Sequence, residues 1–306
     1  MSDAPSLTIG IIGAGNVGTA LATMLAQGGH QVYLGVRDTQ RKNAQLSAAG
    51  WQQPSNCTLI SFDEAVSSAP LIILAVPDGE IASLARDVLR RCPTGSIVAH
   101  CSGALSSNIL KPNTGASISA CSLHPLNTFP NLAAALAIAN DPDHKTAMVC
   151  EGDEEALAIT QPLFNQLGFN CMTIEADAKP LYHAASVMVC NYLTVVMEAG
   201  LRTAELAELS KDDFWRAVQP LIAATLNNVG KEQSLSGPIA RGDSSTVELH
   251  LQQLAKSSPE LGTLYSALGR ATIELAHAQQ QITSDQQRDL LEILTTTKVT
   301  LTNDKD

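Results

Sequence analysis

Six residues near the start of the chain, Gly13-Ala14-Gly15-Asn16-Val17-Gly18, have the G-x-G-x-x-G spacing suited to holding a phosphate with main-chain amides. The first glycine permits a tight turn, the second lets backbone approach a pyrophosphate, and the third lets a helix pack closely on a strand. The helix that follows would present free N–H groups and a partial positive charge to the anion. This spacing predicts a dinucleotide site. An acid about 20 residues further on would bind a ribose 2′-hydroxyl, whereas an arginine suits a 2′-phosphate. Arg37 stands there, with Arg41 and Lys42 after it and Asp38 beside it as a partial offset. NADP(H) is therefore expected, with NAD(H) less favoured. The plainer alternative is a solvated charged loop.

Three further segments could bring side chains to the same crevice, because ligands of open α/β sheets bind outside the carboxyl ends of the strands. They are Ala75-Val76-Pro77-Asp78-Gly79-Glu80, His100-Cys101-Ser102-Gly103-Ala104 and Ser122-Leu123-His124-Pro125-Leu126-Asn127. Ala75, Val76 and Pro77 are expected against the cofactor, and His100, Ser102 and His124 in a substrate pocket. His100, Cys101, Cys121 and His124 also have the chemistry of zinc ligands. Adjacent residues on a strand project to opposite faces, however, so no metal is expected. Later, Lys179, His183, Ser186 and Cys190 fall on one helical stripe among apolar residues. Lys179 is the first candidate for proton donor or oxyanion stabiliser, with more bearing on turnover than on folding, and His183 is the second. Asn191 on the same helix and Arg241 in the loop Gly237–Asp243 complete the expected pocket; Arg241 could clamp a carboxylate or phosphate.

To position these residues the chain needs strands whose ends meet. Short apolar runs alternate with helical segments over residues 7–175: Leu7–Ile12, Gln31–Val36, Thr58–Phe62, Leu71–Val76, Ser96–Cys101, Ser117–Ser122, Thr146–Cys150 and Asn170–Ile174. Apolar throughout, most read as buried parallel strands. Beyond them come helices, expected at Ala178–Ala207, Asp212–Asn228, Thr246–Lys256, Pro259–Gln279 and Asp285–Thr295, the last capped by Ser284 and Asp285, then a frayed polar tail from Thr297. The expected fold is α/β, a doubly wound Rossmann sheet followed by an all-α carboxyl-terminal domain, with domains at 1–175 and 176–306.

Composition narrows the class. Of 306 residues, 45% are hydrophobic and 16% charged, which fits a folded chain long enough for two cores. A net charge of −11 argues against nucleic acid as a partner. The amino terminus lacks the basic and apolar regions of a signal peptide, and no apolar stretch of 18 residues suggests a span, so a cytoplasmic protein with no membrane partner is expected. The seven scattered cysteines suit reduced thiols. Long apolar helices in the second half predict a homodimer.

The amino-terminal half resembles the Rossmann domains of pyrroline-5-carboxylate reductases and deazaflavin-dependent NADP oxidoreductases, which share A-V-P-D at Ala75–Asp78. The runs H-C-S-G-A, S-L-H-P-L-N-T-F, K-P-L-Y-H-A-A-S and G-P-I-A-R-G-D, with Thr246 and His250-Leu251, more closely resemble a bacterial family. In that family a Rossmann-like domain is joined to a helical domain of unknown function. The wider superfamily, with its ketopantoate reductases and β-hydroxyacid dehydrogenases, carries a lysine on this helix and an asparagine four residues later. Lys179 and His183 match the spacing but put histidine in place of asparagine. The resemblance implies a reductase that moves hydride from NADPH to a small carbonyl or imine substrate between its domains. The alternative is a non-catalytic NADP-binding sensor or partner protein.

Overall fold

A computed structural model describes residues 6–111 and 117–296; the start of the chain and the expected polar tail lie outside the described residues. Two units are distinguished, Met1–Val189 and Cys190–Asp306. Among its described residues the first contains eight strands, β1 (Thr8–Ile12), β2 (Gln31–Val36), β3 (Cys57–Ser61), β4 (Leu71–Leu74), β5 (Ile97–His100), β6 (Ser119–Leu126), β7 (Ala147–Gly152) and β8 (Asn170–Thr173). Its helices are α1 (Asn16–Gln27), α2 (Thr39–Ala48), α3 (Phe62–Ser67), α4 (Asp78–Leu89), α5 (Leu132–Ala139), α6 (Glu154–Gln166) and α7 (Lys179–Val187).

The strands form one sheet in the order β3-β2-β1-β4-β5-β6-β7-β8. Every neighbouring pair is parallel except β6 with β7. The chain order reverses between β1 and β4, which opens a crevice at their carboxyl ends. Apolar runs form these strands because both faces are covered. Ile9, Ile11 and Ile73 pack with Leu21, Leu25 and Phe164 on one side, while Ile12, Ile72 and Leu74 pack with Ile81, Ala85 and Val88 on the other. The architecture is the doubly wound α/β sheet that the strand pattern predicts.

One expected boundary is wrong. The segment after Ser122 is strand, not loop, because β6 runs on through His124 and Pro125 to Leu126. It pairs there with β7 alone, since its partnership with β5 ends at Ser122. Pro125, which has no N–H, is tolerated where one side of the strand has no ladder partner.

In the second unit the helices are α8 (Leu193–Leu206), α9 (Lys211–Asn228), α10 (Ser244–Ser257), α11 (Pro259–Ala278) and α12 (Ser284–Thr296). Val247, Leu251, Ile273, Ala276, Leu290 and Leu294 form its core. The α12 start differs from expectation: Thr283 caps it, its hydroxyl accepting the Gln286 N–H at 3.2 Å while the Gln286 side chain accepts the Thr283 N–H at 2.9 Å. A π-helical turn, Met188–Tyr192, lies between α7 and α8. The helical run Ala176–Leu206 is long and apolar enough to cross a membrane by length and composition, which corrects the expectation that no such segment exists. Its first turn, however, carries the buried Lys179.

Candidate active site

The glycine turn has the geometry its spacing implies. Gly13 adopts φ +106°, a conformation that side chains disfavour. A Cβ on Gly18 would overlap the Gly13 carbonyl oxygen, so the start of α1 packs directly on the turn. A Cβ on Gly15 would meet nothing within 4 Å, so that side of the turn is open for an approaching ligand. Gly15 caps α1 with no side-chain hydrogen bond, leaving the first amides of the helix unused by a cap. The Asn16 side chain turns away, donating to the Phe129 carbonyl at 2.9 Å.

Beside the turn lies a cleft of about 360 Å³ lined by Gly13, Arg37, Asp38, Arg41, Lys42, Val76 and Glu80. One carboxylate oxygen of Asp38 caps α2 by accepting the Arg41 N–H at 2.9 Å. Arg37 pairs with Glu80 at 3.0 Å; the Arg37 side chain is largely exposed and that of Glu80 half-buried, so the pair is worth no more than about 1 kcal/mol and opens readily for an anion. Val76 lines the cleft, and Pro77 stands at the N-cap of α4, three residues beyond the end of β4.

The second cluster gathers at the end of β5 and along the adjoining part of β6, with the start of α7 against them. His100 is fully buried, and its Nδ1 accepts the Ser102 N–H at 3.1 Å. Its Nε2 has no partner. Burial pushes His100 down to about 4; the Ser106 backbone opposes the fall without bonding Nε2, and the Lys179 charge adds to it. Ser102 donates through Oγ to Asp78 at 2.8 Å and accepts the N–H groups of Ala104 and Leu105, which pins the loop.

Lys179 is also fully buried. Its Nζ donates to the Ser102 carbonyl at 2.8 Å and to Ser122 Oγ. Burial holds its pKa below the usual lysine range, and the carboxylate of Glu151 chiefly opposes this. Glu151, buried on β7 opposite Ser122, accepts the N–H and hydroxyl of Ser107 at 2.6 and 2.9 Å.

Toward the next turn of α7, the Tyr182 hydroxyl lies 2.8 Å from His124 Nδ1. His124 meets the Tyr182 and His183 rings edge-on, at centroid distances of 5.8 and 5.7 Å. Burial pushes His124 down to about 4, helped by the Lys179 charge, and raises Tyr182 above its ordinary value. His183 packs over Gly103, where no Cβ would fit, and its buried Nδ1 has no partner.

The structure thus brings together His100, Ser102, His124, Lys179 and His183, and adds Asp78, Ser122, Glu151 and Tyr182. Tyr182, three residues after Lys179, was within reach of the helical periodicity. Glu151 gave no signal, because nothing in a strand sequence marks which carboxylate will be buried. Asn191 and Arg241 belong to the second unit. Both are exposed, Asn191 in the π-helical turn and Arg241 at the end of a short 3-10 turn. Among the described residues no group of three or more His, Cys, Asp or Glu is placed to hold a metal ion.

The Rossmann-like domain family matches residues 2–125, and the domain of unknown function DUF2520 matches residues 146–272. A glycerol-3-phosphate dehydrogenase [NAD(P)+] of Teredinibacter turnerae is 30% identical over 102 residues, which is 30% of this chain and 30% of that protein. The chain therefore spans less than a third of the length of that relative. Among solved structures, a Bacteroides fragilis protein assigned to the NADP oxidoreductases superposes with a TM-score of 0.67 at 20% identity, over 88% of this chain and 98% of its own. An imine reductase from Pseudomonas sp. gives 0.57 at 18%, over 94% and 92%. At such identities the likeness is one of fold.

Proposed function

We propose that the protein is an NADPH-dependent reductase acting on a small carbonyl or imine. The observation that carries this reading is the glycine turn opening beside a cleft with three cations, Arg37, Arg41 and Lys42. The open side of Gly15 and the uncapped α1 amides fit a pyrophosphate, and the cations fit a 2′-phosphate. The NADP oxidoreductase and imine reductase folds among its structural neighbours support the same class. The free state of all seven cysteines suits the reducing cytoplasm we propose for it.

NADPH, when bound, would supply hydride to an electrophilic carbon. The chain's own residues would place that carbon and manage the proton. The neutral His124 and the Tyr182 hydroxyl form a pair through which a proton can pass. His183, with Nδ1 unpartnered, can bond the oxygen or nitrogen of the acceptor. Lys179 has its ammonium committed to Ser102 and Ser122, so we assign it to fixing the loop and setting the field around the imidazoles. Direct contact with substrate moves to His183. Asn191 and Arg241 remain candidates for substrate recognition.

Calorimetric titration tests the cofactor: NADPH should bind more tightly than NADH, and Arg37→Ala should narrow the gap. Equal affinities in the parent protein would overturn the reading. A panel of small ketones, oxo-acids and imines then tests turnover, and tight NADPH binding with no oxidation by any of them would favour a sensor.

A further inference from the structure

Helix α9 has no buried residue along its 18 positions, and α8 buries only Leu201 and Ala204. The two form a hairpin joined through residues 207–210, and the Lys211–Glu198 ion pair ties them together. Antiparallel packing brings the beginning of α8 beside the end of α9. At that end neither arm of the helical hairpin carries charge: no Asp, Glu, Lys or Arg occurs in residues 190–197 or 217–230. Tyr192, Val195, Leu221, Leu226 and Val229 are each more than half exposed there, Val229 at 70%. The charged residues of the hairpin, from Glu198 to Arg216, lie toward the connecting loop.

We propose that this charge-free end of the α8–α9 hairpin docks against the same surface of a second copy of the chain. Two such hairpins related by a two-fold axis would make a four-helix bundle, each completing the core the other lacks. The area agrees. At roughly 100 Å² of apolar surface per side chain, the five residues offer about 500 Å². A standard interface of about 800 Å² per partner, about 65% apolar, requires a similar amount. The charge distribution also favours self-association. A chain with net charge −11 repels its own copies across most faces, whereas this patch brings no like charges into direct contact. Helices that lie on bilayers instead carry a basic polar face, whereas Glu198, Glu205, Asp212 and Asp213 make this flank mainly acidic. The proposal is independent of the cofactor reading.

Light scattering and sedimentation equilibrium on the full chain test it. The parent should have twice the 32.2 kDa mass at micromolar concentration. Leu221→Glu and, separately, Val229→Lys should each raise the dimer dissociation constant about 30-fold or more, the scale of a central interface residue. Val229 follows α9 and is mostly exposed, so its substitution should leave the circular dichroism unchanged even if Leu221→Glu does not. A monomeric parent, or a dimer that survives both substitutions, would overturn the proposal. So would binding of the parent to phosphatidylcholine–phosphatidylserine vesicles that Val229→Asp abolishes.

Discussion

His100 offers a test that needs no substrate. It is fully buried, its Nδ1 is occupied as an acceptor of the Ser102 N–H, and its ring lies in the field of the Lys179 ammonium. A second proton must go to Nδ1, which breaks the Ser102 bond and adds positive charge in the field of Lys179. A histidine held at about 4 in the folded protein, against 6.5 unfolded, contributes stability that is complete above about pH 6.5 and disappears as the pH falls through about 4. At pH 5 the unfolded form would be about 97% protonated at this site and the folded form about 9%, a difference worth about 2 kcal/mol. Urea unfolding at pH 7.5 and pH 5 should therefore show the parent losing about 2 kcal/mol more than His100→Gln. The other histidines titrate in both proteins and cancel in the comparison. Losses that agree within about 0.5 kcal/mol would refute the account of His100 as a neutral, buried acceptor.

Two further substitutions probe the remaining geometry. Gly15→Ala places a methyl in open space, so unfolding free energy should change by about 1 kcal/mol or less while NADPH affinity falls; Gly18→Ala drives a Cβ into backbone and should cost about 1–3 kcal/mol as well as binding. If Gly15→Ala binds NADPH as the parent does, the pyrophosphate does not lie over Gly15. Lys179→Met leaves the Ser102 carbonyl and Ser122 hydroxyl without their donor and should destabilise by about 2–4 kcal/mol in urea titrations. A loss below about 1 kcal/mol would show that water or a neighbour replaces the ammonium.

The sheet was legible because its signals are local. Apolar runs such as Leu71–Leu74 and the glycines of the turn depend on backbone geometry within a few residues. The reversal at β7 was not, since direction depends on which edge the chain returns to. Arg37, Arg41 and Lys42 were legible by spacing, whereas the role of Asp38 as a helix cap emerged only with α2 in place. The spacing of Lys179, His183 and Ser186 put them on one stripe of α7, yet full burial of Lys179 required knowing that Ser102 and Ser122, far away in sequence, would supply its acceptors. Tyr182 and Glu151 acquire their importance from such long-range pairings, and residue spacing alone does not rank them.

The two halves of the proposed nucleotide site differ in how freely they could diverge. At Gly13 and Gly18 a single methyl collides with main chain, so neither position accepts a side chain without strain. Helix α2, by contrast, buries only Leu46, and replacing Arg41 or Lys42 on such a surface changes stability by about 0.5 kcal/mol or less. Cofactor preference could thus be changed through positions 37, 41 and 42 while Gly13 and Gly18 are left untouched.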